Sequence, residues 1–256
     1  MKNMSEIQVI KRNGDREDLD IDKLHKVVFH ACDDITGVSP SQVEIKSNVQ
    51  FYNGITSEDI QETLIKSAAD LISEETPNYQ WVAGRLINYH LRKMVYNSYE
   101  PWHISRLIEV NTERGFYDPE LGSSYTEAEW DQLNNYMKHD RDNNIAYVGM
   151  EQFRGKYLVQ NRASGEIFET PQMAYMLIAA TLFSSYPAGT RMRWVKGYYD
   201  AISTFEISLP TPVMAGVRTP QRQFSSCVLI ETGDSLDSIN ATSSAVVKYV
   251  SQKAGI

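Results

Sequence analysis

The alternation of apolar and polar residues predicts a β-hairpin and four helices in the first 95 residues. Residues 8–12 and 15–19 have strand character and flank Asn13-Gly14, a dipeptide that favours a type I′ turn. After Asp22, apolar residues recur every three or four positions, which is the spacing of one helix face. Three further segments repeat this spacing, beginning at Pro40, at Thr56 or Ser57, and at Tyr79.

The second of these helices has the strongest local start signal. Ser39 suits the N-cap, Pro40 the first helical position, and Gln42 the partner position of a capping box. We expect this helix to run to about Tyr52, where Asn53-Gly54 ends it.

Helical spacing continues through the middle of the chain, with one more hairpin. Thr126 and Glu129 predict a capping box at the start of one helix. An apolar helix follows Pro171, and its Met173, Tyr175 and Met176 suit a core. The predicted helices cover residues 102–113, 126–139, 147–153, 173–183 and 190–203, and the hairpin pairs residues 156–160 with 165–168.

A proline-rich stretch, residues 207–239, has a different pattern. Three prolines predict extended backbone and exclude a helix in its first half. They are Pro210, Pro212 and Pro220. The apolar run 228–230 predicts a buried strand, and Asp234 or Ser235 can cap the helix that follows. The thiol of Cys227 therefore stands between a loop and a strand.

Composition narrows the classes of function. The chain has 256 residues, 42% of them apolar, which is enough for one or two globular domains. Its net charge of −8 argues against binding to the phosphate backbone of a nucleic acid. No run approaches the roughly 18 apolar residues of a membrane helix, and the N-terminus lacks the apolar core of a signal peptide. We expect a cytoplasmic protein that binds neither nucleic acid nor membrane. Neither the two cysteines nor the five histidines have the spacing of a metal site.

Two features carry candidate chemistry, and each has a structural alternative. Lysines and arginines near element ends, such as Lys11 and Lys93, are either solvated charges or, with Ser57 at a helix start, a phosphate site. Cys227 is either a buried hydrophobic residue or a reactive thiol beside the hydroxyls of Ser225 and Ser226. The residues alone leave both questions open.

The ordered motifs of the chain resemble the large subunit of class I ribonucleotide reductases. The C-terminal series resembles the start of that family's catalytic barrel, and consists of Leu209-Pro-Thr-Pro, Arg218-Thr-Pro, Arg222-Gln-Phe-Ser-Ser-Cys227 and Gly233-Asp-Ser-Leu236. The N-terminal series resembles the family's ATP cone, and consists of Val9-x-Lys11-Arg12-x-Gly14, Asp22-Lys23, Gly54-Ile-Thr-Ser57 and Leu91-Arg-Lys93. The resemblance covers essentially the whole chain.

The resemblance implies a mainly α-helical fold with small β-hairpins and three domains. Residues 1–95 would form the ATP cone, which senses nucleotides, and residues 96–220 a helical domain. Residues 221–256 would hold the first strand and helix of a ten-stranded α/β barrel that is incomplete in this chain.

The resemblance also implies roles for particular residues. Cys227 matches the first of two redox-active cysteines, whose partner is absent from this chain, and Thr211 and Ser226 match substrate contacts. The family's binding site for the specificity effector is matched in part by Asp234, Ser235 and Leu236. The ATP and dATP site matches Lys11, Arg12, Glu17, Asp20, Lys23, Ser57 and Lys93. Gln61 stands where many members have histidine, which leaves inhibition by dATP open.

The implied activity is the reduction of ribonucleoside diphosphates to deoxyribonucleoside diphosphates by a cysteine pair and radical chemistry. ATP, dATP and other dNTP effectors would regulate it; no metal is expected in this chain, and a diiron-tyrosyl radical belongs to the small subunit. The implied partners are the C-terminal portion of the large subunit, the small radical-generating subunit, a second large subunit that contacts residues 235–253, and thioredoxin or glutaredoxin as reductant.

Three hypotheses follow. Thiol–disulfide chemistry needs a pair, and no cysteine follows Cys227, so the chain would be an N-terminal part that is inactive without its C-terminal portion. A split gene, a truncated reading frame or an engineered fragment would each produce such a part. The second hypothesis is a non-catalytic module that binds ATP and dATP through residues 1–95. The third is a non-functional remnant that folds only as its helical part.

Overall fold

A computed structural model describes residues 7–252 and 254–256 of the chain. The strands are β1 (Gln8–Ile10), β2 (Arg16–Asp18), β3 (Ile55–Thr56), β4 (Gln160–Asn161) and β5 (Glu166–Ile167). The helices are α1 (Ile21–Cys32), α2 (Pro40–Asn48), α3 (Ser57–Ala69), α4 (Tyr79–Tyr96), α5 (Ile104–Glu113), α6 (Glu127–Tyr136), α7 (Tyr147–Gln152), α8 (Pro171–Leu182), α9 (Ala188–Ser203), α10 (Thr211–Gly216) and α11 (Leu236–Ser251). The expectation of a mainly helical fold with small β-hairpins is confirmed.

The chain folds as two units, which are described separately below. The first contains the residues through Glu100 together with Asp140–Gly155, and the second contains Pro101–His139 together with Lys156–Ile256. Within residues 7–252 and 254–256, no helix has both the length and the apolar character required to cross a bilayer.

The predicted N-terminal hairpin is present, but its turn differs from the prediction. The N–H of Gly14 donates to Lys11 O at 2.9 Å, and that of Lys11 donates to Asp15 O at 2.8 Å. Gly14 has a φ of 88°, whereas Asn13 is not among the residues with positive φ. A type I′ turn needs two left-handed residues, so the prediction of that turn is wrong; one left-handed glycine after the turn is the three-residue alternative.

The first unit also contains a strand that the sequence pattern did not indicate. β3 pairs parallel with β1, placing Val9 opposite Ile55, while β2 pairs antiparallel on the other side of β1. Two residues are too few to show alternation, so this strand depends on its neighbour. Thr56 then caps α3 by accepting from the Asp59 N–H at 3.0 Å.

α2 is shorter than predicted, and its capping box is wrong. The helix ends at Asn48, and Ser39 makes no side-chain cap. The Ser39 N–H instead donates to the Tyr79 hydroxyl at 3.0 Å, and that hydroxyl donates to Gln42 Oε1 at 2.7 Å. A side chain from α4 has therefore replaced the local partner that the sequence offered.

A close backbone approach joins α4 to the segment before α7. A Cβ on Gly84 would lie 2.2 Å from Ile145 O and 3.2 Å from the carbonyl carbon of Ala146. Real Cβ atoms do not come that near to a backbone oxygen, so only glycine allows this packing. Around this contact the core of the unit is apolar, and its buried members include Val28, Val43, Leu64, Val82, Leu86 and Ile87.

The second unit is built around α8, which packs against α9. Met173, Tyr175 and Met176 are buried, which confirms their prediction as core residues. The predicted capping box of α6 is also present, because the Thr126 side chain accepts from the Glu129 N–H and the Glu129 side chain accepts from the Thr126 N–H. β4 and β5 form the second predicted hairpin, with only two residues in each strand.

Two predictions for the proline-rich stretch are wrong in this structure. A short helix, α10, occupies Thr211–Gly216, with Pro212 in its first turn. Proline is tolerated there because the first N–H groups of a helix need no helical partner. The predicted buried strand at residues 228–230 is not formed, and Leu229 is 98% exposed. A strand needs a neighbour for its backbone groups, and no described strand lies beside this segment.

Candidate nucleotide site and thiol segment

A cavity of 1470 Å³ lies within the first unit. Typical small-molecule sites occupy about 300–1,000 Å³, so this one has room for a large ligand. The hairpin, α1, the start of α3 and the end of α4 line it. All seven residues that the sequence assigns to ATP and dATP lie at this cavity, namely Lys11, Arg12, Glu17, Asp20, Lys23, Ser57 and Lys93.

The cavity is positively charged although the chain as a whole is acidic. Its lining includes eight lysines and arginines but only five aspartates and glutamates. The basic members are Lys11, Arg12, Arg16, Lys23, Lys26, Arg85, Arg92 and Lys93. Because the whole chain has a net charge of −8, this local excess of positive charge suits an anionic ligand.

Two carboxylates hold the lysines at the hairpin side of the cavity. Lys11 Nζ lies 2.8 Å from Glu17 Oε1, and Lys23 Nζ lies 3.2 Å from Asp20 Oδ2. The hydrogen bond from Lys11 lowers the pKa of Glu17, and the backbone N–H of Lys23 lowers the pKa of Asp20. Both carboxylates are therefore ionised at neutral pH and orient the ammonium groups without removing their charge.

Lys93 lies on the other side of the cavity, near the end of α4. Burial lowers its pKa, and the positive charges of Arg12 and Lys11 lower it further. Arg12 Nη1 donates to Lys93 O at 2.5 Å, which ties the hairpin turn to this helix end. Like charges held together repel one another, so a bound anion would stabilise this arrangement.

Two tyrosines that line the cavity were not predicted from the sequence. Tyr89 and Tyr99 both line it, with ring centroids 6.2 Å apart and an interplanar angle of 82°. Burial raises the pKa of both hydroxyls, so the rings are neutral. Lys93 Nζ lies 4.2 Å from the centroid of the Tyr99 ring. Tyr89 stands one helical turn before Lys93, a spacing that could have indicated it, whereas Tyr99 lies beyond the helix.

The thiol segment belongs to the second unit. Cys227 is exposed, and Ser226 before it is exposed as well. The Val228 N–H donates to Gly255 O at 2.9 Å, and a Cβ on Gly255 would lie 2.2 Å from Ser226 O. Thr211 is the first residue of α10, and no hydrogen bond or ion pair among the described residues joins it to Ser226 or Cys227. The structure thus brings the seven cavity residues together, whereas among the described residues no hydrogen bond or ion pair links Cys227 with the two residues assigned to the substrate, Thr211 and Ser226.

Two protein-family models match parts of the chain. The ATP cone domain matches residues 7–94, and the ribonucleotide reductase all-alpha domain matches residues 143–222. The chain therefore contains an ATP cone and the all-alpha domain of ribonucleotide reductases. Curated reductase sequences align with it almost from end to end.

Three relatives illustrate how far this similarity extends. The chain is 56% identical over 248 residues to ribonucleoside-diphosphate reductase 1 subunit alpha of Escherichia coli, which covers 97% of this chain and 33% of the relative. It is 53% identical over 254 residues to the ribonucleoside-diphosphate reductase subunit alpha of Haemophilus influenzae, and the alignment covers 98% of this chain and 33% of that relative. The ribonucleoside-diphosphate reductase subunit alpha of Enterobacteria phage T4 is 46% identical to this chain over 255 residues, and the alignment covers 99% of this chain and 33% of that relative. The chain spans about a third of the length of these reductase subunits.

The three residues that the family resemblance assigns to the specificity effector lie together at the start of α11. Asp234, Ser235 and Leu236 are all exposed, and Ser235 caps the helix by accepting from the Ser238 N–H at 3.2 Å. None of the residues of α11 is buried, and Leu236 is 79% exposed. The apolar face of this helix is therefore uncovered in the chain.

In the stretch from Ile7 to the C-terminus, leaving out Lys253, no three His, Cys, Asp or Glu side chains are grouped so as to hold an ion.

Proposed function

We propose that this chain supplies the N-terminal third of a ribonucleoside-diphosphate reductase large subunit, in which it senses ATP and dATP and contributes the first redox cysteine. The observation that carries the proposal is the convergence of seven predicted nucleotide residues on one positive cavity. We keep residues 1–95, 96–220 and 221–256 as the proposed functional domains. We also propose that the protein acts in the cytoplasm.

The donor set of the cavity fits a nucleoside triphosphate. Lys11, Arg12 and Lys93 offer cations to the phosphates, and Ser57 offers a hydroxyl at the N-terminus of the 13-residue helix α3. The free N–H groups of that helix end also favour an anion. The rings of Tyr89 or Tyr99 present apolar faces against which a base can stack.

Replacing Lys93 with methionine should weaken ATP binding about tenfold or more, because a charge-assisted bond is worth roughly 1.5–3 kcal/mol. Isothermal titration of the chain with ATP and with dATP measures the change. Lys66→Met is the matched control, since Lys66 is an exposed lysine of the same unit outside the cavity. Equal affinity of the Lys93 variant and the wild type would contradict the nucleotide site.

The same titration addresses inhibition by dATP. Gln61 lies at the cavity, where many family members have histidine. If Gln61 prevents discrimination between ribose and deoxyribose, ATP and dATP will bind equally and neither will inhibit the assembled subunit. Tighter binding of dATP with inhibition would show that glutamine serves as well as histidine at this position.

The thiol segment supports a role as the start of the catalytic barrel. A segment without regular secondary structure, helix α11 and a second such segment follow one another, and the Val228 N–H of the first segment donates to Gly255 O of the second. Parallel strands require such a crossover connection, usually a helix. Residues 226–230 and 254–256 would then become the first two strands once further protein provides their neighbours.

Cys227 would be one half of the reducing pair. In the proposed reaction the 2′-hydroxyl of the ribose leaves as water, a hydrogen replaces it, and two thiols become a disulfide. The other cysteine of the sequence, Cys32, is buried, and burial raises its pKa to about 11, so it is an unreactive thiol. We infer that the partner thiol comes from residues outside this sequence. Thr211 and Ser226 would offer hydroxyls to the substrate.

The proposed partners follow from the same assignment. The C-terminal portion of the large subunit would complete the barrel, and the small subunit, with its diiron-tyrosyl radical, would supply the radical. A second large subunit would cover α11, whose exposed apolar residues include Leu236, Ile239, Val247, Tyr249 and Val250. Thioredoxin or glutaredoxin would reduce the disulfide, and dNTP effectors would bind near Asp234, Ser235 and Leu236.

A non-catalytic nucleotide-binding module is the second candidate, because every residue of the cavity lies within the first unit. An assay of ribonucleoside diphosphate reduction with the C-terminal portion and the small subunit separates the two. The module hypothesis predicts ATP binding without reduction, whereas the reductase assignment predicts both.

A further inference from the structure

A buried ion pair that the sequence pattern did not indicate lies in the second unit. The side chains of Glu169 and Arg218 are both 0% exposed. Arg218 Nε lies 3.0 and 2.8 Å from the two carboxylate oxygens of Glu169, and Nη2 also donates to Oε1. Removing two charges from water costs several kcal/mol per ion, so such a pair persists only with nearly complete hydrogen bonding.

Both members meet that condition through further partners. Glu169 accepts from the Tyr117 hydroxyl at 2.6 Å and from the Val159 N–H at 2.7 Å. Burial by itself would lower the pKa of Arg218, but the charge and hydrogen bonds of Glu169 outweigh it and raise the pKa. Arg218 therefore keeps its charge, and its hydrogen bonds to both carboxylate oxygens give the pair a well-defined geometry.

The remaining donors of Arg218 reach the backbone of two separate elements. Nη1 donates to Met214 O in the last turn of α10 at 2.6 Å, and Nη2 donates to Tyr157 O at 3.1 Å. The backbone of Arg218 is held too, because its carbonyl accepts from the Asp118 N–H at 3.0 Å. One arginine thus fastens the end of α10 to Glu169 and to the segment that precedes β4.

A contact of Asp118 continues this set of interactions from Arg218 toward Cys227. Asp118 Oδ2 lies 2.5 Å from Arg222 Nη2, so the carboxylate and the N–H of one residue hold both Arg222 and Arg218. The anchored stretch begins with Thr211 at the start of α10 and ends at Arg222, five residues before Cys227.

We propose that Glu169 and Arg218 are positioning residues of the reductase, which hold α10 and the following backbone so that Thr211 and Cys227 stand at fixed points for the substrate. This inference rests on the proposed function. A buried ion pair adds little stability compared with apolar residues of similar size. The contribution of this pair is therefore to fix the position of α10 and of the backbone that follows it. Misplacing a reacting group by about 1 Å can cost about 100-fold in rate.

The test uses a large subunit that carries this sequence and its C-terminal portion, assayed with the small subunit. Arg218→Lys keeps the charge but loses the forked donor geometry that reaches Glu169, Met214 and Tyr157 together. We expect kcat/KM for a ribonucleoside diphosphate to fall about 10- to 100-fold. Hydrogen exchange at the amides of Met214 and Val217, which lie in and just after α10, should become faster.

Arg191→Lys is the matched control. Arg191 makes a similar forked pair with Glu129, at 2.8 and 2.5 Å, and joins α9 to α6 within the same unit. Both variants lose a forked ion pair, so both should lower Tm. Only Arg218→Lys should lower kcat/KM, measured at a temperature well below either Tm, while Arg191→Lys stays within about twofold of the wild type.

A second variant covers the case in which Arg218→Lys does not fold. Glu169→Asp keeps the negative charge beside the buried Arg218 but shortens the side chain, so it should fold while losing about tenfold in kcat/KM. Wild-type kcat/KM in the folded Arg218 or Glu169 variant, or an equal loss in Arg191→Lys, would overturn the positioning role alone. An inactive wild-type assembly would instead refute the proposed function, and this inference with it.

Discussion

Replacing Gly84 with alanine is expected to destabilise the first unit by about 3 kcal/mol or more, which lowers Tm by about 6–12 °C. The added Cβ would lie 2.2 Å from the backbone oxygen of Ile145, so α4 and the segment before α7 would have to separate. The gain of about 1 kcal/mol from removing a glycine from a helix is too small to offset this cost. Thermal unfolding followed by circular dichroism measures the shift.

Gly155→Ala is the control for that substitution. Gly155 belongs to the same unit, and a Cβ at this position meets nothing within 4 Å. Its replacement should leave Tm unchanged or raise it slightly, because alanine restricts the unfolded chain more than glycine does. If both variants unfold at the same temperature, the close approach of α4 to Ile145 does not matter for stability.

Replacing Cys227 with serine is expected to abolish multiple-turnover reduction of ribonucleoside diphosphates by the assembled large subunit. A serine hydroxyl cannot form a disulfide, so the two electrons for the reaction are no longer available from this pair. Nucleotide binding should be unchanged, because the cavity lies in the first unit and Cys227 in the second. Product formation over many turnovers, with thioredoxin or glutaredoxin as reductant, is the measurement.

Cys32→Ala is the control for the loss of a thiol. Cys32 is 7% exposed and its replacement leaves only a small space in the core, so activity should be retained with a modest loss of stability. Normal turnover by the Cys227 variant would show that Cys227 takes no part in the reaction, regardless of the result for the Cys32 variant. Loss of activity in both variants would indicate a general effect on folding.

Local signals in the sequence were sufficient for several elements, whereas the resemblance to a family indicated seven of the cavity residues. The capping box of α6 formed as predicted, because both of its partners, Thr126 and Glu129, lie within one turn. Motifs spread over the first 93 residues led to seven side chains that the fold gathers at one cavity. Their spacing alone could not separate a phosphate site from solvated charges; the resemblance to a family favours the phosphate site.

Other features depend on partners that no local pattern reveals. The capping box at Ser39 is replaced by a hydroxyl from Tyr79, 40 residues away, and β3 forms only beside β1. α10 forms despite its proline because Pro212 occupies the first turn. Glu169 and Arg218, 49 residues apart, look like ordinary surface charges until the fold buries them together.

The sequence by itself determined the mainly helical architecture, the family resemblance and the choice of candidate nucleotide residues, because helical periodicity and ordered motifs can be recognised in the chain before it folds. Only the tertiary structure decided which charges are buried, which tyrosines face the cavity, and how the segment before Cys227 is held. The physical reason is that burial and ion pairing depend on contacts between residues far apart in sequence, and these exist only after the helices have packed.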